Sequence, residues 1–159
     1  MKKFAITLFI VSLFTISVTA QKADDKTAVL GVVQALFDAM RAADAAAILA
    51  TGTADNSLVA IQKGKDGKSK VSVISADAFT KFFTKPNAVK EVMYDHKVAI
   101  DGDWAQVYGR YVFFVGDKIS HCGINQFNLV RTDAGWKIAN GASTMDPSAC
   151  NEKEKAMKP

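Results

Sequence analysis

Residues 104–144 read WAQVYGRYVFFVGDKISHCGINQFNLVRTDAGWKIANGAST, and the fold turns on how this stretch is punctuated. Gly116-Asp117 and Thr132-Asp133-Ala134-Gly135 are hairpin chemistry set between β-rich runs, which predicts strands over 104–115, 118–131 and 136–144. Working backward, Asp101-Gly102-Asp103 joins the first of these to another β-rich run, 89–100. Four strands linked by consecutive hairpins make an antiparallel meander. These runs exceed the usual length of about 5 to 6 residues, so the sheet should be strongly bent or bulged.

Helical signals precede the meander. Over 25–40 the apolar residues Val29, Val32, Val33, Leu36, Phe37 and Met40 form a one-sided stripe at helical spacing, with Asp24 or Asp25 available as cap. Asp44 can cap a short second helix over 45–50, which Gly52 ends. Residues 57–61 and 70–74 flank a Gly- and Lys-rich turn and read as a hairpin. Ser75 then caps a third helix over 76–83, with Phe79, Phe82 and Phe83 as its buried stripe and Pro86 just beyond. Three helices packed on one face of an antiparallel sheet make an α+β domain.

The N-terminus carries Lys2 and Lys3, an apolar run from Phe4 to about Ser17, and Val18-Thr19-Ala20. That is the pattern of a signal peptide cleaved between Ala20 and Gln21, with an uncleaved anchor as the alternative. The apolar run is shorter than the roughly 20 residues a spanning helix needs. Export is therefore expected, to a bacterial periplasm or the exterior, with no membrane association after cleavage. Removing Lys2 and Lys3 from the 20 Lys and Arg leaves 18 against 16 Asp and Glu, so the net charge falls from +4 to +2. The remaining basic residues cluster in the turn 63–70 and the tail 151–159, without interleaved aromatics. Nucleic acid is not an expected partner. The domain is expected over 21–150, and the tail as a charged, frayed segment.

The segment 29–49, the hairpin 98–107 (VAIDGDWAQV) and the stretch 121–138 (HCGINQFNLVRTDAGWKI) together resemble the nuclear transport factor 2-like superfamily. Within it the chain is most similar to small exported bacterial members labelled SnoaL-like or lumazine-binding. The resemblance spans about residues 26 to 150. It implies a curved sheet wrapped around helices into a cone, also called the cystatin-like fold, with an internal pocket and often a dimer through the outer sheet face. Known members include ketosteroid isomerases, dehydratases and polyketide cyclases.

Side chains alternate across a strand, and this divides the polar residues into two sets. In 118–131, His121, Asn125, Phe127 and Leu129 share the face that should meet the helices, while Cys122 points to the other. His121 and Cys122 are then no nucleophile–base pair, and the spacing of two His and two Cys makes a poor zinc site, so no metal is expected. Cys122 and Cys150 are the chain's two cysteines, and export predicts a disulfide between them, two free thiols being the alternative.

Running the parity back through the hairpin at Gly102 places Tyr111, His96 and Tyr94 inward; a bulge would bring Asp95 in instead. Pairing Phe127 with Asn140 places Asn140 inward as well. The predicted ligand-binding set is thus His121, Asn125, Tyr94, His96, Tyr111 and Asn140, with His121, Asp95, Tyr94 and Tyr111 as catalytic candidates. Isomerase-type chemistry needs a carboxylate base near a hydrogen-bond donor, and Asp95 is the acid considered for that role. Position 125 is Asn where some similar chains would carry an acid. The reading favours a non-catalytic domain binding a small, partly apolar molecule, without a cofactor. An isomerase-, dehydratase- or cyclase-like enzyme and a dimeric interaction module are the alternatives.

Overall fold

The computed structural model describes the backbone of residues 16–159 and side chains from Asp24 onward; the first 15 residues, which hold most of the predicted leader, lie outside the described residues. Among the described residues four helices, α1 (Ile16–Ala42), α2 (Ala45–Ala50), α3 (Ala76–Thr80) and α4 (Glu152–Lys155), accompany six strands. These are β1 (Gly52–Lys63), β2 (Ser69–Ser75), β3 (Val89–Asp101), β4 (Trp104–Val115), β5 (Lys118–Thr132) and β6 (Gly135–Met145). All six form one curved sheet in the order β2-β1-β6-β5-β4-β3. The meander is antiparallel as expected, but the β1–β2 hairpin joins it through a parallel pairing of β1 with β6. No described helix is long and apolar enough to cross a membrane.

The core sits between α1 and the concave face of the sheet. Val29, Val33, Leu36, Phe37 and Met40 from α1 are buried against Ala105, Val107, Phe127, Leu129, Trp136 and Ile138. This is the stripe that helical spacing predicts, meeting the face that strand alternation predicts. Asp44 caps α2 by accepting from the Ala47 N–H at 2.9 Å, and Ser75 caps α3 from Ala78 at 3.3 Å. Neither Asp24 nor Asp25 caps α1, which continues back to Ile16. Asp25 instead pairs with Arg131 at 2.7 Å, and the Arg131 guanidinium lies 4.4 Å over the Trp136 ring.

The long strands carry irregularities, and each one moves side chains between faces. In β3 the ladder runs from Tyr94↔Arg110 directly to Lys97↔Tyr108, so Asp95 and His96 together oppose Gly109. A Cβ at Gly109 would lie 2.9 Å from the His96 Cα and from the Tyr94 carbonyl oxygen, so the bulge needs a glycine beneath it. Asp95 takes a φ of 48° there, a left-handed conformation that Asp tolerates better than most residues. In β6, Asn128↔Asn140 is followed by Leu129↔Ile138, which leaves Ala139 unpaired and reverses the parity beyond it.

The convex face differs most from expectation. The C-terminal segment is a docked strap, not a frayed tail. Cys122 and Cys150 are joined by a disulfide, and beyond it Asn151 and Glu154 form a reciprocal capping box that starts α4. Glu154 has no solvent exposure. Its carboxylate accepts from Arg110 Nε at 2.7 Å, Arg110 Nη2 at 2.8 Å, the Tyr94 hydroxyl at 2.5 Å and the Asn151 N–H at 2.7 Å. Cys122, Cys150, Val112 and Phe114 form a second buried cluster under this strap.

Candidate functional site

A cavity of about 740 Å³ opens between the helices and the concave face. Its walls are mainly apolar: Leu36, Phe37 and Met40 from α1, Ile48 from α2, Phe79, Phe82 and Phe83 from the α3 region, and Phe113, Phe127 and Ile138 from the sheet. Such a volume and lining suit a small, partly apolar molecule. A second, more open depression of about 550 Å³ lies between α2, α3 and the start of β1, away from the groups described next.

One group of polar side chains in the cavity comes from four adjacent strands, β3 to β6. Glu91, Phe113 and His121 form one cross-strand row; Met93, Tyr111 and Gly123 form the next; Gly109, Asn125 and Ser143 form the third. Asn125 is buried and joins the rows diagonally. Its Nδ2 donates a short hydrogen bond to Glu91 Oε1, and its Oδ1 accepts from the Ser143 hydroxyl at 2.7 Å. Both ends of the amide are engaged, which fixes its orientation.

Glu91 is the acid of this cavity. Its side chain is half-buried and lines the cavity. Burial raises its pKa to about 7, against the opposing pull of the Asn125 hydrogen bond. Tyr111 donates its hydroxyl hydrogen bond to the Thr144 carbonyl at 2.9 Å, and burial followed by the nearby Glu91 charge pushes its pKa up. That carbonyl comes close because position 123 is glycine: a Cβ there would lie 1.8 Å from it.

His121 stacks on Phe113 with ring centroids 4.9 Å apart, and its Nδ1 lies 3.1 Å from the Ser120 hydroxyl. Burial lowers its pKa, so the imidazole is neutral at pH 7. No hydrogen bond or ion pair joins it to Glu91; Phe113 stands between them in the row. A His–acid pair is absent among the described residues.

Of the predicted set, His121, Asn125 and Tyr111 line the cavity. The other four candidates do not. Tyr94 faces the convex side, where its hydroxyl binds Glu154. Asp95 and His96 occupy the bulge and are exposed, Asp95 beside Lys153 at 3.2 Å. Asn140 pairs outward with Asn128 at 2.8 Å; the irregularity in β6 puts Gly141 in its place opposite Phe127 and brings Ser143 inward opposite Asn125. Glu91 was absent from the predicted set. Its signal was the shifted parity itself: with a bulge at 95–96, the inward positions continue to Met93 and then Glu91.

No family model and no curated protein sequence matches the chain. Solved structures do. A nuclear transport factor 2-like protein with a cystatin-like fold from Novosphingobium aromaticivorans superposes with a TM-score of 0.69 at 13% identity, covering 91% of this chain and 96% of that one. A candidate dehydratase of the same fold family from Streptomyces avermitilis gives 0.58 at 16% identity, covering 78% and 97%. A candidate aromatic ring hydroxylase from Novosphingobium aromaticivorans gives 0.56 at 20%, covering 77% and 90%. At these identities the likeness is one of fold, and it agrees with the helices, the curved open sheet and the cavity: the chain has the nuclear transport factor 2-like, or cystatin-like, fold.

Proposed function

We propose that this is an exported domain that binds a small, partly apolar molecule in the cavity beneath α1. The observation that carries the binding reading is the cavity of about 740 Å³, walled by aromatic and aliphatic side chains around one fixed polar constellation, Glu91–Asn125–Ser143. The Cys122–Cys150 disulfide and the leader pattern before Gln21 support export. A second copy of the chain would meet the part of the convex face left open by the strap, where Trp104 and Tyr108 are 41% and 45% exposed.

The binding reading is tested with the fluorescent probe 1-aminoanthracene and an Ala60→Phe variant, because Ala60 lines the cavity from β1. Saturable binding that is lost in the folded variant supports it. Equal binding by both proteins contradicts it, since the probe would then sit elsewhere.

One observation favours an enzyme as the second reading. Glu91, at about 7, has the proton affinity of a general base matched to neutral pH. Against it, the hydroxyl of Tyr111 already donates its hydrogen bond to a backbone carbonyl. Turnover of an enolisable ketone that Glu91→Gln abolishes, with affinity retained, would select this reading.

A further inference from the structure

The cavity carries a carboxyl group without a counter-charge, and this narrows the chemistry of what it can hold. One oxygen of Glu91 accepts from Asn125, and among the described residues no hydrogen bond or ion pair reaches the other. The elements around it supply no cation that pairs with it among the described residues. From α1, α2 and α3 only apolar side chains line the cavity, and β1 adds the uncharged Asn56, Ser57 and Gln62. From β2 comes Lys70, an exposed residue on the hairpin; from β4 comes Tyr111, committed to Thr144; from β5 comes His121, held neutral by burial behind Phe113. The ion pairs among the described residues involve Arg110, Arg131, Lys153 and Lys155, none of which lines the cavity.

A carboxylate drawn partly out of water without its cation is costly, and its complement is a cation brought by the ligand. The surrounding rings reinforce this, because the faces of Phe and Tyr attract an ammonium where water is excluded. We infer that the cavity selects a hydrophobic amine, its ammonium paired with Glu91 and its apolar body against Phe37, Phe79, Phe83 and Phe127. This rests on the binding reading above and adds the charge and polarity of the ligand to it. A neutral alcohol of the same shape fills the same volume but leaves the carboxylate unpaired. An anion meets Glu91 with like charge.

The test is calorimetric titration of the full protein with three isosteres: 1-naphthylmethylamine, 1-naphthalenemethanol and 1-naphthoate. At pH 8 the amine should bind at least about tenfold more tightly than the alcohol, a preference worth about 1.4 kcal/mol. Ionised Glu91 is the form that binds the amine, so amine affinity should fall by about tenfold per pH unit below pH 7, while the alcohol's does not. Glu91→Gln should keep the alcohol and lose the preference; alcohol binding doubles as the check that the variant is folded. Asn140→Ala, a change on the convex face, should leave all three values alone.

Equal affinity for amine and alcohol, or an amine preference surviving in Glu91→Gln, overturns the amine inference and leaves cavity binding intact. Binding of none of the three overturns the binding reading itself.

Discussion

Two glutamates lie on opposite faces of the same sheet, and the protein treats them in opposite ways. Glu154, on the convex side, is wholly enclosed and receives four hydrogen bonds, two of them from Arg110. Burial works to raise its pKa, but the bonds from Arg110, Tyr94 and the Asn151 N–H outweigh it and hold the carboxyl below the usual range. Glu91, on the concave side, is given one amide partner and no cation, and burial raises it to about 7. A carboxylate satisfied on every side is structural; one left short of partners beside a cavity is available to a ligand. The contrast separates a carboxylate that holds the fold from one that the fold leaves short of partners.

That contrast can be broken most severely at Arg110. Arg110→Ala leaves Glu154 buried without its cation and should cost about 3–5 kcal/mol in urea unfolding. A loss below about 1 kcal/mol would mean that the strap is an ornament on the surface. Next in size is the disulfide. Its 28-residue separation predicts a loss of about 3–4 kcal/mol for Cys122→Ala/Cys150→Ala in the chain-entropy account. Limited proteolysis should then cut within 146–159, whereas the parent resists there.

The pH dependence of the two faces runs in opposite directions. Glu154 has a depressed folded pKa, so its stabilisation is present above the ordinary glutamate value and is lost as pH falls through the folded one. Glu91 has a raised folded pKa, so its contribution is full below pH 4.5 and is lost as pH rises through about 7. Glu91→Gln should therefore match the parent near pH 4 and exceed it by about 3 kcal/mol at pH 8, measured by thermal unfolding. A parent more stable than the variant at pH 8 would reverse the sign and defeat this account of the concave face. The smallest effect belongs to the fold alone: Asp44→Ala removes the cap of α2 and should cost about 1 kcal/mol. It should leave ligand affinity unchanged.

The sequence disclosed local chemistry well and parity only as far as the first irregularity. Caps at Asp44 and Ser75, the stripe of α1 and the hairpins of the meander are fixed by neighbouring residues, and each is where the sequence places it. Alternation also carried His121, Asn125 and Tyr111 to the concave face, because β4 and β5 pair in regular register from Trp104↔Val130 to Phe113↔His121. Past the bulge at Asp95–His96 every side chain of β3 changes face, which exchanged Tyr94 for Glu91. In 89–94 alternation could not choose the face, because Val92 and Tyr94 are as apolar as Val89 and Met93. For the same reason at Ala139, Asn140 gave way to Gly141 opposite Phe127, and Ser143 came inward opposite Asn125. The tail read as a solvated run because its composition is charged; Asn151 and Glu154 at capping-box spacing were the sign that it is ordered.

The most direct test is a ¹³C NMR titration of the side-chain carboxyls, with Glu91→Gln and Glu154→Gln used to assign the two resonances. The account predicts one glutamate titrating at about 7 that disappears in Glu91→Gln, and one below the ordinary range that disappears in Glu154→Gln. A Glu91 that titrates near 4.5 would contradict it, because the concave face would then hold an ordinary solvated acid.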